Sequence, residues 1–298
     1  MIVGAACRRA PAPKGAEAGR ATTTADGERA WTLVYDQVVA GNQDLYAIPS
    51  TGGVARRLTD DPAHDMLPRF THDGSAVLFA SDRSGQWQIW EVPAEGGTAR
   101  RVRTNSSVEY QVDESPDGRT LAFLSNEGGP ESLLLLPRAA NAARVLVRHG
   151  ANTIMGNPDW SPDGAQITFS SNWRVGHQIY VVDAGSGEAR RISPLHRGGC
   201  EPRFNPDGRR VVYVDRGHLG DTSLLTEIDL LSGERKTIVD WPALNYDPAY
   251  SPDGREIAFA SNITGEYAIY RQRLADGKSW RVTHERGDAR YPDYRPDR

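Results

Sequence analysis

The chain has 298 residues, 38% of them hydrophobic, enough for one large domain or two small ones. Its formal net charge of −4 argues against the basic surface of a nucleic-acid binder. No apolar run reaches the roughly 18–20 residues that cross a bilayer as a helix.

Residues 1–28 read as a signal remnant and flexible linker. Gly4-Ala5-Ala6 precedes Cys7, as small residues precede the lipidated cysteine of bacterial lipoproteins, which makes Cys7 the lipidation candidate and the one route to membrane attachment. The alternative is a tail that happens to contain a cysteine. Residues 8–28 are rich in Ala, Arg, Pro, Gly and Thr without periodicity, as linkers are. The second cysteine, Cys200, lies far along the chain, so no structural disulfide is expected. The paired-cysteine spacings of metal sites are absent.

Residues 29–298 carry an internal repeat. Ser115-Pro116-Asp117-Gly118, Ser161-Pro162-Asp163-Gly164 and Ser251-Pro252-Asp253-Gly254 are identical in sequence. Thr71-His72-Asp73-Gly74 and Asn205-Pro206-Asp207-Gly208 are variants, and Arg295-Pro296-Asp297 is a truncated sixth copy. The aspartates at 73, 117, 163, 207, 253 and 297 are spaced by 44, 46, 44, 46 and 44 residues. Proline presets φ at a tight turn, aspartate bonds its own backbone, and glycine tolerates positive φ. An apolar or aromatic residue precedes most turns, and a short β-rich run such as Ile167-Thr168-Phe169 follows. A third strand (Gln178-Ile179-Tyr180) and a fourth (Arg190-Arg191-Ile192) complete the unit. Four strands at this period predict an all-β chain, a six-bladed β-propeller of four-stranded antiparallel blades. The chain enters on a second strand, Leu33-Val34-Tyr35, and leaves on a lone first strand, Tyr291-Pro292-Asp293-Tyr294. The expectation is closure by pairing the C-terminal strand into the N-terminal blade, which removes an exposed edge.

The recurring Pro-x-aromatic-Ser-Pro-Asp-Gly, best preserved at 158–164 and 248–254, resembles the propeller of TolB-type proteins over about residues 30–298. The resemblance implies a six-bladed propeller, a periplasmic setting and protein-binding work. Residues 1–28 are too few for the N-terminal α/β domain of TolB. The same repeat occurs in prolyl oligopeptidase-like peptidases and oligogalacturonate lyases.

In a propeller, the loops from each fourth strand to the next first strand gather at one mouth of the channel, a concave surface suited to binding. There the sequence places His64, Asp65, Glu109, Tyr110, Met155, Glu201, Tyr246, Asp247, Arg290 and Tyr291, with Trp173 on a bordering loop. These are the candidate ligand- or partner-binding residues. His64, His149, His196 and His284 share these connections, but without the short-range spacing of a metal site, so no metal and no cofactor is assigned. No nucleophile elbow, His-Glu-x-x-His or phosphate loop is present, and no catalytic residue is assigned. Cys200 has no local base and reads as a small apolar side chain. The leading expectation is a non-enzymatic, monomeric periplasmic scaffold for a protein or peptide partner in the cell envelope, without nucleic acid. The alternatives are a carbohydrate-active enzyme, most plausibly a metal-assisted polysaccharide lyase, and a ligand-sensing accessory domain.

Overall fold

The computed structural model describes residues 22–23, 29–174, 176–195, 198–217 and 222–297; Cys7 and His196 lie outside these. Six four-stranded antiparallel sheets form the blades of the propeller. From the innermost strand outward, blade 1 is Ala289–Tyr294, Thr32–Val39, Asn42–Pro49 and Arg56–Arg57. Blade 2 is Asp65–Phe70, Ala76–Ser81, Gln88–Pro93 and Arg100–Arg101. Blade 3 is Glu109–Glu114, Thr120–Ser125, Ser132–Pro137 and Arg144–Arg148. Blade 4 is Met155–Trp160, Gln166–Ser171, Gln178–Asp183 and Ala189–Arg191. Blade 5 is Gly199–Phe204, Arg210–Asp215, Leu224–Asp229 and Arg235–Val239. Blade 6 is Asn245–Tyr250, Glu256–Thr264, Glu266–Arg273 and Ser279–Arg281. The inner strand of blade 1 is the C-terminal segment, with Arg290 opposite Asp36 and Tyr294 opposite Leu33. Beside the propeller, Thr22–Thr23 pairs with Arg29–Ala30, partly within the stretch read as linker.

The repeated turns hold as their chemistry requires. Ser115 Oγ donates to Asp117 Oδ1 at 2.6 Å and accepts the Thr120 N–H at 2.9 Å, while Asp117 Oδ1 takes the Arg119 N–H at 3.0 Å. Gly118 sits at φ 69°, where a Cβ would be strained. Between blades the core is apolar. The third and fourth blades, for example, share a cluster that includes Leu133, Leu135, Trp160, Ile167 and Phe169.

Every inner strand is bulged at its middle, where two of its residues oppose one on the neighbouring strand. The first residue of each bulge is left-handed, with φ between 51° and 58°: Leu67, Gln111, Asn157, Glu201, Asp247 and Tyr291. None is glycine, and each L side chain in that conformation costs roughly 1–2 kcal/mol. The surrounding contacts offset that cost. The bulge lifts N–H groups out of the ladder, and side chains of the preceding blade accept several of them. Asp36 takes the Leu67 N–H (2.9 Å), Gln111 that of Asn157 (3.0 Å), Glu201 that of Asp247 (2.6 Å) and Asp247 that of Tyr291 (3.3 Å). Further along the same strands, Asp113 accepts from Trp160 (2.7 Å), Asp159 from Phe204 (2.7 Å) and Asp293 from Phe70 (2.8 Å). These bonds stitch five of the six blade joints around the channel, and between blades 2 and 3 Glu114 accepts the His72 N–H (2.7 Å).

The stitches differ in energy from the turns. Asp159 also pairs with Arg69 (2.6 Å) and Arg203 (3.2 Å), so Asp159→Ala takes a carboxyl group from two buried cations, of which Arg69 keeps Asp113 and Asp293, and strands the Phe204 N–H. The expected loss is about 3–5 kcal/mol in urea unfolding at unchanged m. Asp163→Ala, in an exposed turn, should lose only about 1 kcal/mol.

Candidate functional site

All six inner strands run the same way, from an entry mouth, where the chain arrives from each outer strand, to a turn mouth ringed by the Ser-Pro-Asp-Gly turns. In two neighbouring hairpins at the entry mouth the strand pairing runs on to the tip: Thr32–Val39 with Asn42–Pro49 in blade 1, and Glu256–Thr264 with Glu266–Arg273 in blade 6. Ala40 and Gly41, both at positive φ, make the two-residue turn of the first.

At the foot of these hairpins lies a charged cluster. Arg290 binds Asp247 through two nitrogens, with the second bond at 3.2 Å. Its guanidinium lies 4.5 Å from the ring centre of Tyr267, 5.1 Å from Tyr291 and 5.2 Å from Tyr246. Asp36 and Glu201 stand nearby, so one cation faces three carboxyl groups. Burial pushes the Asp36 carboxyl up to about 7, against the lowering pull of its bonds from Leu67 and Gln43. Burial, and then the neighbouring Asp247, hold Glu201 well above the usual carboxylate range. Burial also raises the Cys200 thiol, which packs beside an apolar cluster and is protonated at neutral pH.

Across the channel, at blade 4, Trp173 stacks on His149 with ring centres 3.8 Å apart and an 8° interplanar angle, and Arg174 lies 4.6 Å over the indole. Desolvation, and then Arg174, lower the His149 pKa, so the imidazole is neutral at physiological pH. Exposed apolar side chains gather on this side of the molecule. Of nine large ones among the described residues, six (Val38, Val39, Ile154, Trp173, Leu195 and Ile263) sit on loops or hairpin tips at the entry mouth.

The structure brings Glu201, Tyr246, Asp247, Arg290 and Tyr291 together. Trp173 and exposed His64 lie elsewhere on the same face. Asp65, Glu109 and Met155 occupy the first position of their strands and turn inward. Asp65 is buried against Arg83 at 2.6 and 2.8 Å, Glu109 against Arg103, and Met155 joins the apolar core. Tyr110 is partly buried, its hydroxyl on Glu131. Asp36 was missed by sequence reasoning. The repeat does carry a signal for it: the equivalent second-strand positions hold Ala80, Leu124, Ser170, Val214 and Ala260, so Asp36 is the one charge in its row.

Below the mouth, an ion-pair network closes the channel. Arg69 reaches Asp159 at 2.6 Å, Asp113 at 2.7 Å and Asp293 at 3.6 Å, and Arg203 reaches Asp159 at 3.2 Å. A small cavity of about 20 Å³ lies against this plug, lined by Arg69, Arg203 and the bulge residues Leu67, Gln111, Asn157 and Tyr291.

A family model described as the TolB beta propeller domain matches residues 24–152, 114–229 and 200–298. The Tol-Pal system protein TolB of Francisella tularensis subsp. holarctica (strain LVS) is 28% identical over 81 residues, 27% of this chain and 18% of that protein. The uncharacterized peptidase YuxL of Bacillus subtilis (strain 168) is 35% identical over 60 residues, 20% of this chain and 9% of that protein. The matched segments thus span less than a fifth of these relatives. TolB from Acinetobacter baumannii superposes with a TM-score of 0.80 at 18% identity, covering 90% of this chain and 67% of that one. An oligogalacturonate lyase in complex with manganese superposes with a TM-score of 0.60 at 16% identity, covering 85% and 74%. At such identities the likeness is one of fold.

The raised Asp36 carboxyl fixes a pH dependence. The folded chain keeps that proton up to about pH 7, whereas the ordinary carboxyl releases it near 3.8. Folded stability therefore falls as pH rises from about 4 through 7. Asp36→Asn keeps an acceptor for Leu67 and removes the buried charge. Its melting temperature should exceed wild type by roughly 3–5 °C at pH 8 and match it near pH 4.5; equal differences at both pH values would contradict this.

Proposed function

The chain belongs to the TolB β-propeller domain family, and we propose that it is a non-enzymatic periplasmic scaffold holding a protein or peptide partner at the entry mouth. The observation that carries this reading is the placement of exposed apolar side chains. Among the described residues they fall in two groups, Val38, Val39 and Ile263 on the neighbouring hairpins of blades 1 and 6, and Ile154, Trp173 and Leu195 on the loops around blade 4, and grouped exposed apolar side chains mark interaction surfaces. Here six of nine border one mouth, around a tyrosine-lined arginine. Tyrosine, tryptophan and arginine dominate the energetics of protein interfaces. The hairpins of blades 1 and 6, paired to their tips, supply a wall on one side, and the His149–Trp173–Arg174 stack supplies a flat platform on the other. The periplasmic setting follows the resemblance to Tol-Pal proteins.

The lyase reading calls for a divalent metal, and the residues do not fit one. Among the described residues, no three His, Cys, Asp or Glu side chains converge as ligands. Of the carboxyl groups at the entry mouth, Asp36 and Glu201 accept backbone N–H groups and Asp247 holds Arg290. No step through a metal is derived.

Site-specific photocrosslinking in intact cells tests the scaffold. A benzophenone side chain at Ile154 or Leu195 should capture a discrete envelope protein, whereas one at Leu231, exposed at a turn on the opposite side, should not. Ile154→Glu with Leu195→Glu should weaken the captured complex by about tenfold or more without changing the melting temperature. Capture at Leu231 alone would move the partner to the other face.

A further inference from the structure

Another cavity opens at the other end of the channel. Beneath the ion-pair plug a funnel of about 280 Å³ widens to the turn mouth. Its rim is a ring of turn residues, five prolines and His72, of which Pro162, Pro206 and His72 are exposed. Its wall is five aromatic rings, Phe70, Trp160, Phe204, Tyr250 and Tyr294, with Glu114 in the sixth place. Its floor is the plug itself.

That floor holds more acidic than basic side chains. Six equivalent strand positions hold Arg69, Asp113, Asp159, Arg203, Ala249 and Asp293, so two guanidiniums face three carboxyl groups. Ala249 leaves one place in the ring without a charged group, and Arg203 spans toward Asp293 only at 4.0 Å. Burial holds Asp113, Asp159 and Asp293 above the usual carboxylate range even with Arg69 among them. Aromatic walls around a carboxylate floor favour a cation with an apolar stem, through ring faces and charge together. The same wall holds Trp160, more than nine-tenths buried, whose indole N–H has no hydrogen-bond partner.

We infer that the turn-mouth funnel is a binding site for a protonated amine on an unbranched alkyl chain. Ala249 marks the gap in the floor that the ammonium fills, the aromatic ring sheathes the methylenes, and the proline rim admits a slender chain while excluding a folded surface. Free diamines and lysine side chains of extended peptides share this chemistry. The site lies on the far side of the plug from the entry mouth, so it stands or falls independently of the scaffold reading.

Titration calorimetry on the full chain tests it with two probes, 1,5-diaminopentane and acetyl-Gly-Lys-Gly-amide, against the norleucine peptide as the uncharged isostere. Saturable one-to-one binding of the diamine, the lysine peptide or both is expected, and which of them binds identifies the source. The norleucine peptide should give no heat. Asp293→Asn, beside the Ala249 gap, retains an acceptor for the Phe70 backbone N–H and should weaken binding by about tenfold, the scale of one partly buried charge pair. Pro206→Lys places a competing ammonium at the exposed rim and should do the same with the fold intact. No saturable binding of either amine, equal binding of the norleucine peptide, or affinity unchanged in both variants overturns the proposal.

Discussion

The propeller depends on what happens to the N–H groups that its inner-strand bulges lift out of the sheet. A buried N–H without an acceptor is costly. In this chain carboxylate and amide side chains of the preceding blade accept those at Leu67, Asn157, Asp247 and Tyr291. The left-handed bulge and the polar channel lining are therefore one arrangement. A hydrophobic channel would leave the bulges unsatisfied, and unbulged strands would take from the carboxyl groups the backbone donors they accept from. The last of these bonds, from Tyr291 to Asp247, lies at the joint where the C-terminal strand meets blade 6.

This arrangement makes the two ends of the channel unlike. The entry side centres on Arg290 and its tyrosines, beside the hairpins of blades 1 and 6. Past the bulge, the Arg69 network shuts the channel, and the aromatic row opens below it. A rigid ring with a plugged centre offers two separate faces rather than one pore. One is broad and partly apolar, and the other is narrow and charged at its floor.

The blade count was legible in the sequence because Ser-Pro-Asp-Gly chemistry is local: each residue of the turn bonds within five positions. The mouth was legible as a region, since strand order dictates which loops meet. Side-chain direction was not. Asp65, Glu109 and Met155 look like mouth residues by position but face inward. The bulge two residues later breaks the period-two alternation from which direction is read. Asp36 was hidden differently. It follows Leu33-Val34-Tyr35 in a strand that otherwise reads as core, and its partner Arg290 lies at the opposite end of the chain. The ion-pair plug joins blades 1 to 5 through side chains far apart in sequence, and no short-range spacing announces it.

Amide hydrogen exchange read residue by residue addresses the stitching directly. Leu67, Asn157 and Asp247 sit in bulges, outside the regular ladder, and loosely held bulge amides would exchange as fast as those of surface turns. The account predicts that all three exchange only through global unfolding, as slowly as ladder amides such as Phe79, and that Asp36→Ala releases Leu67 while Asn157 stays protected. Rapid exchange at these three amides in the wild-type chain, beside protected neighbours, would contradict it.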